Sequence, residues 1–442
     1  MRQEPTRAER ILQGSLWQGS LWRGSLWIMS GQFLSMALQA VYFVLMGRTL
    51  GSREYGAFVG VVALVALLSQ FSSLGMEMIL LRNISRDRAS FAATWGNALR
   101  ISGCGFVVLL AVAWLLGRLT LGPELRALLP WIAVSDALFG KLVQLASRAF
   151  QGAGEMRYCA KLATSVYAGR AVLAAALCFY VHRTHAIADA SMWARIYWLA
   201  PFVAAVVACW MVTVKLGWPR FERIRLRDLS EGLSFSFSNS STSAYNDIDK
   251  TFLVSLGQTY AAGIYSAAYR VIDAATAPLY GIYTAATPRL FRAGGRSVRD
   301  ANIQTRRLLQ RTVPYGVVVA VSLYIGAGLL PHLFGPSFRG SVAVLRWLCA
   351  LPLLRVLHYA WGTTITASAS QWNRTAIQLG AAALNLLLNF LLIPRWSWQG
   401  AAVASLITDG SLAISSWVVL RHIQRRESLG VQSALADTSP AD

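Results

Sequence analysis

The stretch that decides the fold is residues 233–256, LSFSFSNSSTSAYNDIDKTFLVSL. A hydropathy scan would pass over it, because it is rich in hydroxyl groups and carries three charged residues. Five of its polar residues nevertheless recur at steps of four, three, four and three, namely Ser236, Ser240, Ser243, Asp247 and Lys250. On a helix these residues share one face. The opposite face is apolar and carries Leu233, Phe235, Ile248, Phe252 and Leu253. We therefore predict a membrane helix that lines a water-filled cavity.

The composition of the whole chain is that of a polytopic membrane protein. Of its 442 residues, 55% are hydrophobic and 14% are charged, which is too apolar for a soluble protein. No removable signal peptide is expected. The five cysteines have no ligand spacing, so we expect no metal site, no disulfide framework and no cofactor.

Twelve apolar segments are long enough to cross a bilayer if residues 233–255 are counted. They are 26–46, 55–81, 98–117, 125–147, 162–181, 190–214, 233–255, 261–288, 312–334, 342–366, 375–393 and 398–420. With alternate connections assigned to two sides, one side holds 26 Lys and Arg residues and the other holds 7. The positive-inside rule then places both termini in the cytoplasm. The two most basic connections, 215–232 and 289–311, share a side only if two spans lie between them. The seventh span is therefore required.

The sequence also contains an internal repeat. The run Leu50-Gly51 to Phe58 recurs as Leu256-Gly257 to Tyr265, and a similar shift aligns Gln32, Ser35, Gln39 and Tyr42 with Asn239, Thr242, Asn246 and Asp249. A third match aligns 152–157 with 368–374. We predict an all-α fold with 12 transmembrane helices in two pseudo-symmetric six-helix lobes around a central polar cavity.

This repeat sets the expected domain organisation. A cytoplasmic tail, 1–25, contains the pentapeptide GSLWQ-GSLWR-GSLW and is followed by an N-lobe, 26–214. A basic cytoplasmic linker, 215–232, leads to a C-lobe, 233–420. Residues 421–442 are expected to be a disordered cytoplasmic tail.

Several motifs in this order resemble the polysaccharide transporter family. They are Gly47-Arg48-Thr49-Leu50-Gly51-x3-Tyr55-Gly56, Leu74-Gly75-x6-Arg82, Asp249-Lys250-x5-Leu256-Gly257 and the run Ala262 to Arg270. The resemblance covers about residues 26–420. It implies a MATE-like fold and a flippase for lipid-linked oligosaccharides in the bacterial cytoplasmic membrane. The implied partners are an undecaprenyl-diphosphate oligosaccharide, membrane lipids, and a polysaccharide polymerase or co-polymerase of the same pathway, with no nucleic acid. Lipid II flippases of this superfamily have fourteen spans, so twelve argues against that branch.

An anionic diphosphate requires cationic sites inside the bundle. Lys141, Lys250, Arg270 and Arg355 lie deep in predicted spans, where an unpaired charge costs about 2.5–3.5 kcal/mol. The first of them shares a helix face with Gln144 and Arg148, and Arg355 shares one with His358. We expect these residues to bind cargo, together with Ser240, Ser243, Asp247, Gln32 and Gln39. The alternative is internal salt bridging, for example Asp247 with Lys250 or Arg270 with Asp273.

The acids suggest how transport is driven. A buried carboxylate that is not paired can take up and release protons. Asp249 or Asp247 is therefore a candidate for coupling ion movement to the rearrangement of the lobes.

The same residues leave two other functions to be considered. A multidrug exporter of the same superfamily is the first alternative, although a basic cavity favours an anion over an organic cation. A membrane polysaccharide polymerase or ligase is the second, but such enzymes resemble chains with one large outer loop, which is missing here. Asp247-Ile-Asp249 matches the D-x-D pattern of glycosyltransferases but lies mid-membrane without a soluble domain. No phosphate-binding G-x4-G-K-[ST] loop exists. We therefore expect a transporter and not an enzyme.

Overall fold

A computed structural model describes residues 7–368 and 371–437, which form helices joined by short turns and contain no β-strand. The α-helices are α1 (Arg7–Ser69), α2 (Met76–Arg86), α3 (Phe91–Thr120), α4 (Pro123–Ala133), α5 (Gly140–Gly152), α6 (Met156–Thr184), α7 (Ala190–Tyr197), α8 (Leu199–Leu216), α9 (Leu226–Ser255), α10 (Thr259–Gly294), α11 (Val298–Gly326), α12 (Leu330–Phe334), α13 (Ser341–Leu348), α14 (Leu351–Ala367) and α15 (Gln371–Asp437). A π-helical turn, Val134–Phe139, joins α4 to α5.

The two longest helices are each bent once, so each consists of two arms. Helix α1 bends at Gly51, where φ is 72° and ψ is 173°, a conformation that is essentially restricted to glycine. Helix α15 bends at Ser397, where φ is 53°. These bends fall where the sequence predicts the connections between spans 1 and 2 and between spans 11 and 12.

The helices agree with the predicted spans. Within the described residues, eight helical segments are long and apolar enough to cross a membrane, so the chain is a multi-pass membrane protein. The two bent helices are among these eight and supply two arms each. Helices α9 and α10 have sufficient length but are too polar to qualify. The polar stretch 233–256 predicts this for α9, whereas 261–288 in α10 was expected to be apolar. Together these give twelve helical segments, and the all-α polytopic fold is confirmed.

Two boundaries differ from the sequence-based expectation. The predicted second span, 55–81, ends at Ser69, because a turn stabilised by the Ser72 hydroxyl on the Ser69 carbonyl (2.9 Å) precedes Gly75 at φ 66°. At the other end, α15 continues to Asp437, where we expected a disordered tail from residue 421. Residues 1–6 and 438–442, the ends of the two predicted tails, lie outside the described residues.

The chain divides into two compact units. The first unit comprises Met1–Thr49 and Leu68–Asn239, and the second comprises Leu50–Leu67 and Ser240–Asp442. This division groups residues 50–67 with the second half of the sequence and residues 233–239 with the first, whereas the repeat alone suggests lobes of 26–214 and 233–420.

Close packing between glycines explains where residues 50–67 belong. A Cβ atom added to Gly56 would meet the Thr259 carbonyl oxygen at 1.9 Å, and one added to Gly263 would meet the Ser52 carbonyl oxygen at 1.8 Å. The second arm of α1 therefore lies directly against α10, backbone to backbone. This contact involves the two repeated segments, since the repeat aligns the glycines of the two helices.

Each unit has its own apolar core. In the first unit, helices α2, α3, α5 and α8 bury a cluster around Leu80, Trp95, Leu145 and Phe150. In the second unit, α10 and α14 bury Leu279, Tyr283, Val356 and Ala360. The polar and charged groups described next lie among these packed helices.

Candidate functional site

The seventh predicted span is helical, and its polar face points into the protein. Ser236 is 1% exposed and Ser240 is 8% exposed, whereas the apolar side chains Phe235 and Phe237 are 42% and 56% exposed. The apolar side chains at the start of α9 therefore face outward, and the polar face is enclosed. The Ser240 hydroxyl donates to the Leu67 carbonyl at 3.3 Å.

Lys250 is the buried cation of this helix. Its ammonium group donates to Asp247 Oδ1 at 2.6 Å and to the Asn246 carbonyl at 2.9 Å, and it lies 4.0 Å from Asp249 Oδ1. It also sits 4.8 Å from the centre of the Tyr269 ring. The ion pair between Asp247 and Lys250, one of the two alternatives drawn from the sequence, is present.

Asp249 joins three helices of the second unit. Its carboxylate is 1% exposed and accepts a 2.6 Å hydrogen bond from the Tyr265 hydroxyl on α10. Ser405 on α15 lies 3.4 Å from the same oxygen and 2.9 Å from Tyr265. The other carboxylate oxygen accepts from the Lys250 backbone N–H at 2.7 Å. The Asp249 carboxylate thus links α9 to α10 and α15.

Arg355 forms an ion pair with Asp273. Its Nη1 atom donates to Asp273 Oδ1 at 2.8 Å and to Thr276 Oγ1 at 3.4 Å, while its guanidinium carbon lies 5.8 Å from the Tyr269 ring centre. Lys250 and Arg355 therefore approach the same aromatic ring. Asp273, which the sequence spacing suggested as a partner of Arg270, also interacts electrostatically with that residue. The side chain of Arg270 interacts with Tyr55 on the second arm of α1.

One turn further along α14, His358 contacts a different carboxylate. Its Nε2 atom lies 3.2 Å from Asp409 Oδ1 on α15, and both side chains are about nine-tenths buried. Arg355 and His358, placed on one face by the sequence, thus contact carboxylates on two different helices.

The first unit contains a second buried lysine pair. Lys141 on α5 lies 3.6 Å from Glu77 Oε1 on α2, and the side chains are 6% and 2% exposed. Its ammonium group also donates to Gln70 at 3.2 Å, and Ser73 donates to the other Glu77 oxygen at 2.6 Å. The repeat match of 152–157 with 368–374, extended toward the N-terminus, aligns Lys141 with His358, and each of these two residues has a buried carboxylate partner.

A third group was missed by the sequence reasoning. The π-helical turn carries Asp136, which is ion-paired with Arg170 on α6 and accepts a hydrogen bond from the Tyr197 hydroxyl at 3.1 Å. The Arg170 guanidinium carbon lies 4.1 Å over the Tyr197 ring. The sequence contains one signal for this group, namely that Arg170 and Asp136 lie inside predicted spans. The π-turn itself has no sequence signature, although such turns are frequent at functional sites.

The remaining residues selected from the sequence are less enclosed. Arg148 donates to Gln151 at 2.6 Å, and Gln144, Ser243 and Gln39 are half-buried. Gln32 is exposed. The structure thus collects Asp247, Asp249, Lys250, Arg355 and His358 into the second unit around Tyr269 and Ser405, and it places Lys141 and Arg148 in the first.

The pairs also differ in how far each partner is exposed. In the second unit the Lys250 and Arg355 side chains are 4% and 8% exposed, but their acids Asp247 and Asp273 are 33% and 45% exposed. The carboxylates therefore lie on the accessible side of each pair. Charged groups at this depth are expensive and are retained where they have a function.

Comparison with known proteins identifies the family. Residues 21–293 match the family described as "Polysaccharide biosynthesis protein". The chain belongs to this family. It is 26% identical over 199 residues to the capsular polysaccharide biosynthesis protein CapF of Staphylococcus aureus, a match that covers 43% of this chain and 49% of that protein. The chain thus spans about half the length of the curated relative it matches.

Solved structures establish the fold of this family member. An inward-facing multidrug resistance MATE family transporter of the MOP superfamily is 17% identical, with a TM-score of 0.70 over 92% of this chain and 96% of that one. An outward-facing MATE family transporter gives 15% identity and a TM-score of 0.60, over 91% and 96% of the two chains. A MOP superfamily transporter from Pyrococcus furiosus, with a binding pocket of reverse polarity that suggests a different function, gives 14% identity and a TM-score of 0.58, over 92% and 95%. The predicted MATE-like fold is therefore confirmed, and so is the resemblance drawn from the motifs.

Proposed function

We propose that the protein is a flippase that moves a lipid-linked, undecaprenyl-diphosphate oligosaccharide across the bacterial cytoplasmic membrane, with both termini in the cytoplasm. The observation that carries this proposal is the family match over residues 21–293 in a chain that has a transporter fold. A protein of polysaccharide biosynthesis with such a fold requires a polysaccharide precursor as cargo. The capsular relative CapF supports a repeat unit of a surface polysaccharide, such as capsule, exopolysaccharide or O-antigen.

The paired cations provide a way to hold a diphosphate. Each buried cation already has a carboxylate, so binding proceeds by exchange of partners and never exposes a bare charge in the membrane. In the second unit, the half-exposed Asp247 and Asp273 give way to phosphate oxygens, and Lys250 and Arg355 turn toward the cargo from their positions around Tyr269. Charge-assisted bonds from lysine and arginine to phosphate are strong enough to replace those to carboxylate. The half-buried hydroxyl of Ser243, with Ser240, contacts the sugars.

Movement occurs by alternating access between the repeated halves, and Asp249 couples it to an ion gradient. Asp249 ties α9 to α10 and α15 through Tyr265 and Ser405. Protonation of its carboxylate, or binding of a cation to it, changes the bonds among all three helices. Replacing Asp249 by Asn leaves transport unresponsive to a proton or sodium gradient; a full response in this variant rules out the coupling role.

Export of an organic cation is the second candidate function. The greater exposure of Asp247 and Asp273 than of their cationic partners favours it, because a cation entering the site meets carboxylates first. Pocket polarity also accompanies a suggested difference in function in the Pyrococcus furiosus transporter. Sensitivity to ethidium and similar cations in a strain that lacks the protein distinguishes the two functions.

The genetic test uses the double variant Lys141→Ala with Arg355→Ala in a Glu77→Gln background, so that Lys141→Ala leaves no buried carboxylate without its cation. We expect this variant to abolish surface glycan while the amount of protein in the membrane is retained. Arg395→Ala is a suitable control, because Arg395 is exposed and donates to the Leu391 carbonyl of its own helix. Normal surface glycan in the double variant would show that these cations do not carry the cargo.

A further inference from the structure

A basic cluster surrounds one tyrosine at the side of the first unit that the charge asymmetry predicts to be cytoplasmic. The Arg157 guanidinium carbon lies 4.8 Å from the centre of the Tyr158 ring, and the ammonium groups of Lys215 and Lys161 lie 5.1 Å and 6.0 Å from it. Three cations from α6 and α8 therefore converge on one aromatic side chain. We call Arg157, Tyr158, Lys161 and Lys215 the Tyr158 cluster.

The charge of this cluster is poorly compensated. Glu155 pairs with Arg157 at 3.5 Å. Over the described ranges, neither Lys161 nor Lys215 forms an ion pair or hydrogen bond with another side chain; each contacts the Tyr158 ring. Like charges held together repel one another, and an anion placed between them relieves this repulsion. The cluster therefore favours an anionic ligand.

An apolar groove begins at the same cluster. It has a volume of about 540 Å³ and is lined by Lys161, Gly169 and Val172 of α6 and by Val203, Val207 and Met211 of α8. The helices touch where a Cβ added to Gly169 would meet the Ala200 Cβ at 2.8 Å. Val172 and Val203 are 68% and 59% exposed, so the groove opens at the surface of the protein.

The dimensions of the groove fit half a bilayer. From Lys161 to Leu173, the α6 side of the groove spans about 18 Å at a rise of about 1.5 Å per residue. One leaflet of a hydrocarbon core of about 30 Å has a similar depth. A ligand that combines an anionic head at the membrane surface with a hydrocarbon chain of leaflet length is an anionic lipid.

We propose that this groove binds a resident anionic phospholipid of the cytoplasmic leaflet, with its phosphate at Lys161 and Lys215 and one acyl chain between α6 and α8. The site is independent of the cargo and of the paired charges within the helix bundle. A second apolar groove of about 530 Å³ has Arg100 as its one basic lining residue, and that arginine already donates to Asn97 and the Glu222 carbonyl. Because this second groove has a single basic lining residue, we assign the lipid to the first groove alone.

The test measures lipid binding to the purified full-length protein by intact-complex mass spectrometry. Phosphatidylglycerol and phosphatidylcholine with identical acyl chains are titrated separately. We expect one phosphatidylglycerol to bind tightly, and Lys161→Gln with Lys215→Gln to weaken it about thirtyfold, since each basic residue near a membrane surface contributes about 1 kcal/mol. Arg306→Gln with Arg307→Gln removes the same charge from exposed positions of α11 and should have no effect.

The groove itself is tested with its charges intact. Val203→Trp fills it and should displace the same lipid, whereas Val318→Trp, at a 62% exposed position of α11, should not. Equal binding of the two lipids, or unchanged binding in the Lys161 and Lys215 variant, would overturn the proposal. Undecaprenyl diphosphate that displaces phosphatidylglycerol at a tenth of its concentration would overturn it too, by making the groove a cargo site.

Discussion

Gly51 and Gly257 share a positive φ, of 72° and 73°. Gly51 lies at the bend of α1 and Gly257 in the turn between α9 and α10, and the sequence repeat aligns the two residues. The repeat is thus present in the backbone φ of these two glycines as well as in the amino-acid sequence. In each half of the chain, a glycine at the aligned position lies at the turn between two consecutive spans.

The conformation of Gly257 predicts the effect of substitution there. Gly257→Ala should lower the free energy of unfolding by about 1–2 kcal/mol, because a Cβ atom disfavours positive φ. Space is not the reason, since no atom lies within 4 Å of an added Cβ. Gly257→Asn should be milder, since asparagine tolerates this region better. Thermal unfolding in detergent measures both, and Gly281→Ala, at an open helical position, should not destabilise. Equal effects of alanine at 257 and 281 would contradict the prediction.

The glycine contact between α1 and α10 predicts a larger effect. Gly56→Ala or Gly263→Ala should sharply reduce the folded protein recovered from membranes, because the new methyl group would overlap a backbone carbonyl at less than 2 Å. Overpacking of this kind costs about 1–3 kcal/mol or more. Fluorescence-detected gel filtration of detergent extracts reports the folded fraction. Recovery equal to that of Gly281→Ala would show that the two helices do not pack this closely.

The Lys141 and Glu77 pair predicts strongly non-additive mutations. Lys141→Met alone should destabilise the protein by about 3–5 kcal/mol, because it leaves a buried carboxylate without its cation. Adding Glu77→Gln should recover most of that loss, since a buried ion pair can be replaced by neutral groups at little net change. A thermal-unfolding double-mutant cycle gives the coupling. Additive effects of the two substitutions would mean that the residues do not interact.

Accessibility along α9 predicts a pattern of chemical labelling. Ser243→Cys should react with a membrane-impermeant thiol reagent in some conformations, because this half-buried position borders the proposed pathway. Ser236→Cys should not, since Ser236 is 1% exposed. Both are measured in a background without the native cysteines. Labelling at 236 but not at 243 would place the polar face away from water.

Local patterns predicted the fold well, and long-range contacts limited the prediction of the site. The steps of four and three from Ser236 to Lys250 identified α9, and the local Asp247–Lys250 pair followed from the same spacing. Arg270 and Asp273 have equally suitable spacing, yet Asp273 contacts Arg355, because that choice depends on how α10 packs on α14. Nothing in local periodicity relates Lys141 to Glu77.

Long-range contacts also decide how the chain divides into its two compact units, which the sequence alone did not predict. Whether residues 50–67 belong with the first or the second half depends on the contact of Gly56 with Thr259 and of Gly263 with Ser52. The alignment of the repeat cannot reveal which copy packs on which. Similarly, the π-turn that places Asp136 beside Arg170 and Tyr197 adds one residue to a helical turn without a breaker residue.

The most direct measurement is translocation of the cargo by purified protein in liposomes. A fluorescent undecaprenyl-diphosphate oligosaccharide is placed in both leaflets, and a membrane-impermeant quencher reports the fraction that reaches the outer leaflet. We expect wild-type protein and Arg395→Ala to make nearly all of the lipid accessible to the quencher, whereas Lys141→Ala with Arg355→Ala in the Glu77→Gln background leaves about half protected. Wild-type liposomes that leave the same half protected, while they transport ethidium, would contradict this expectation.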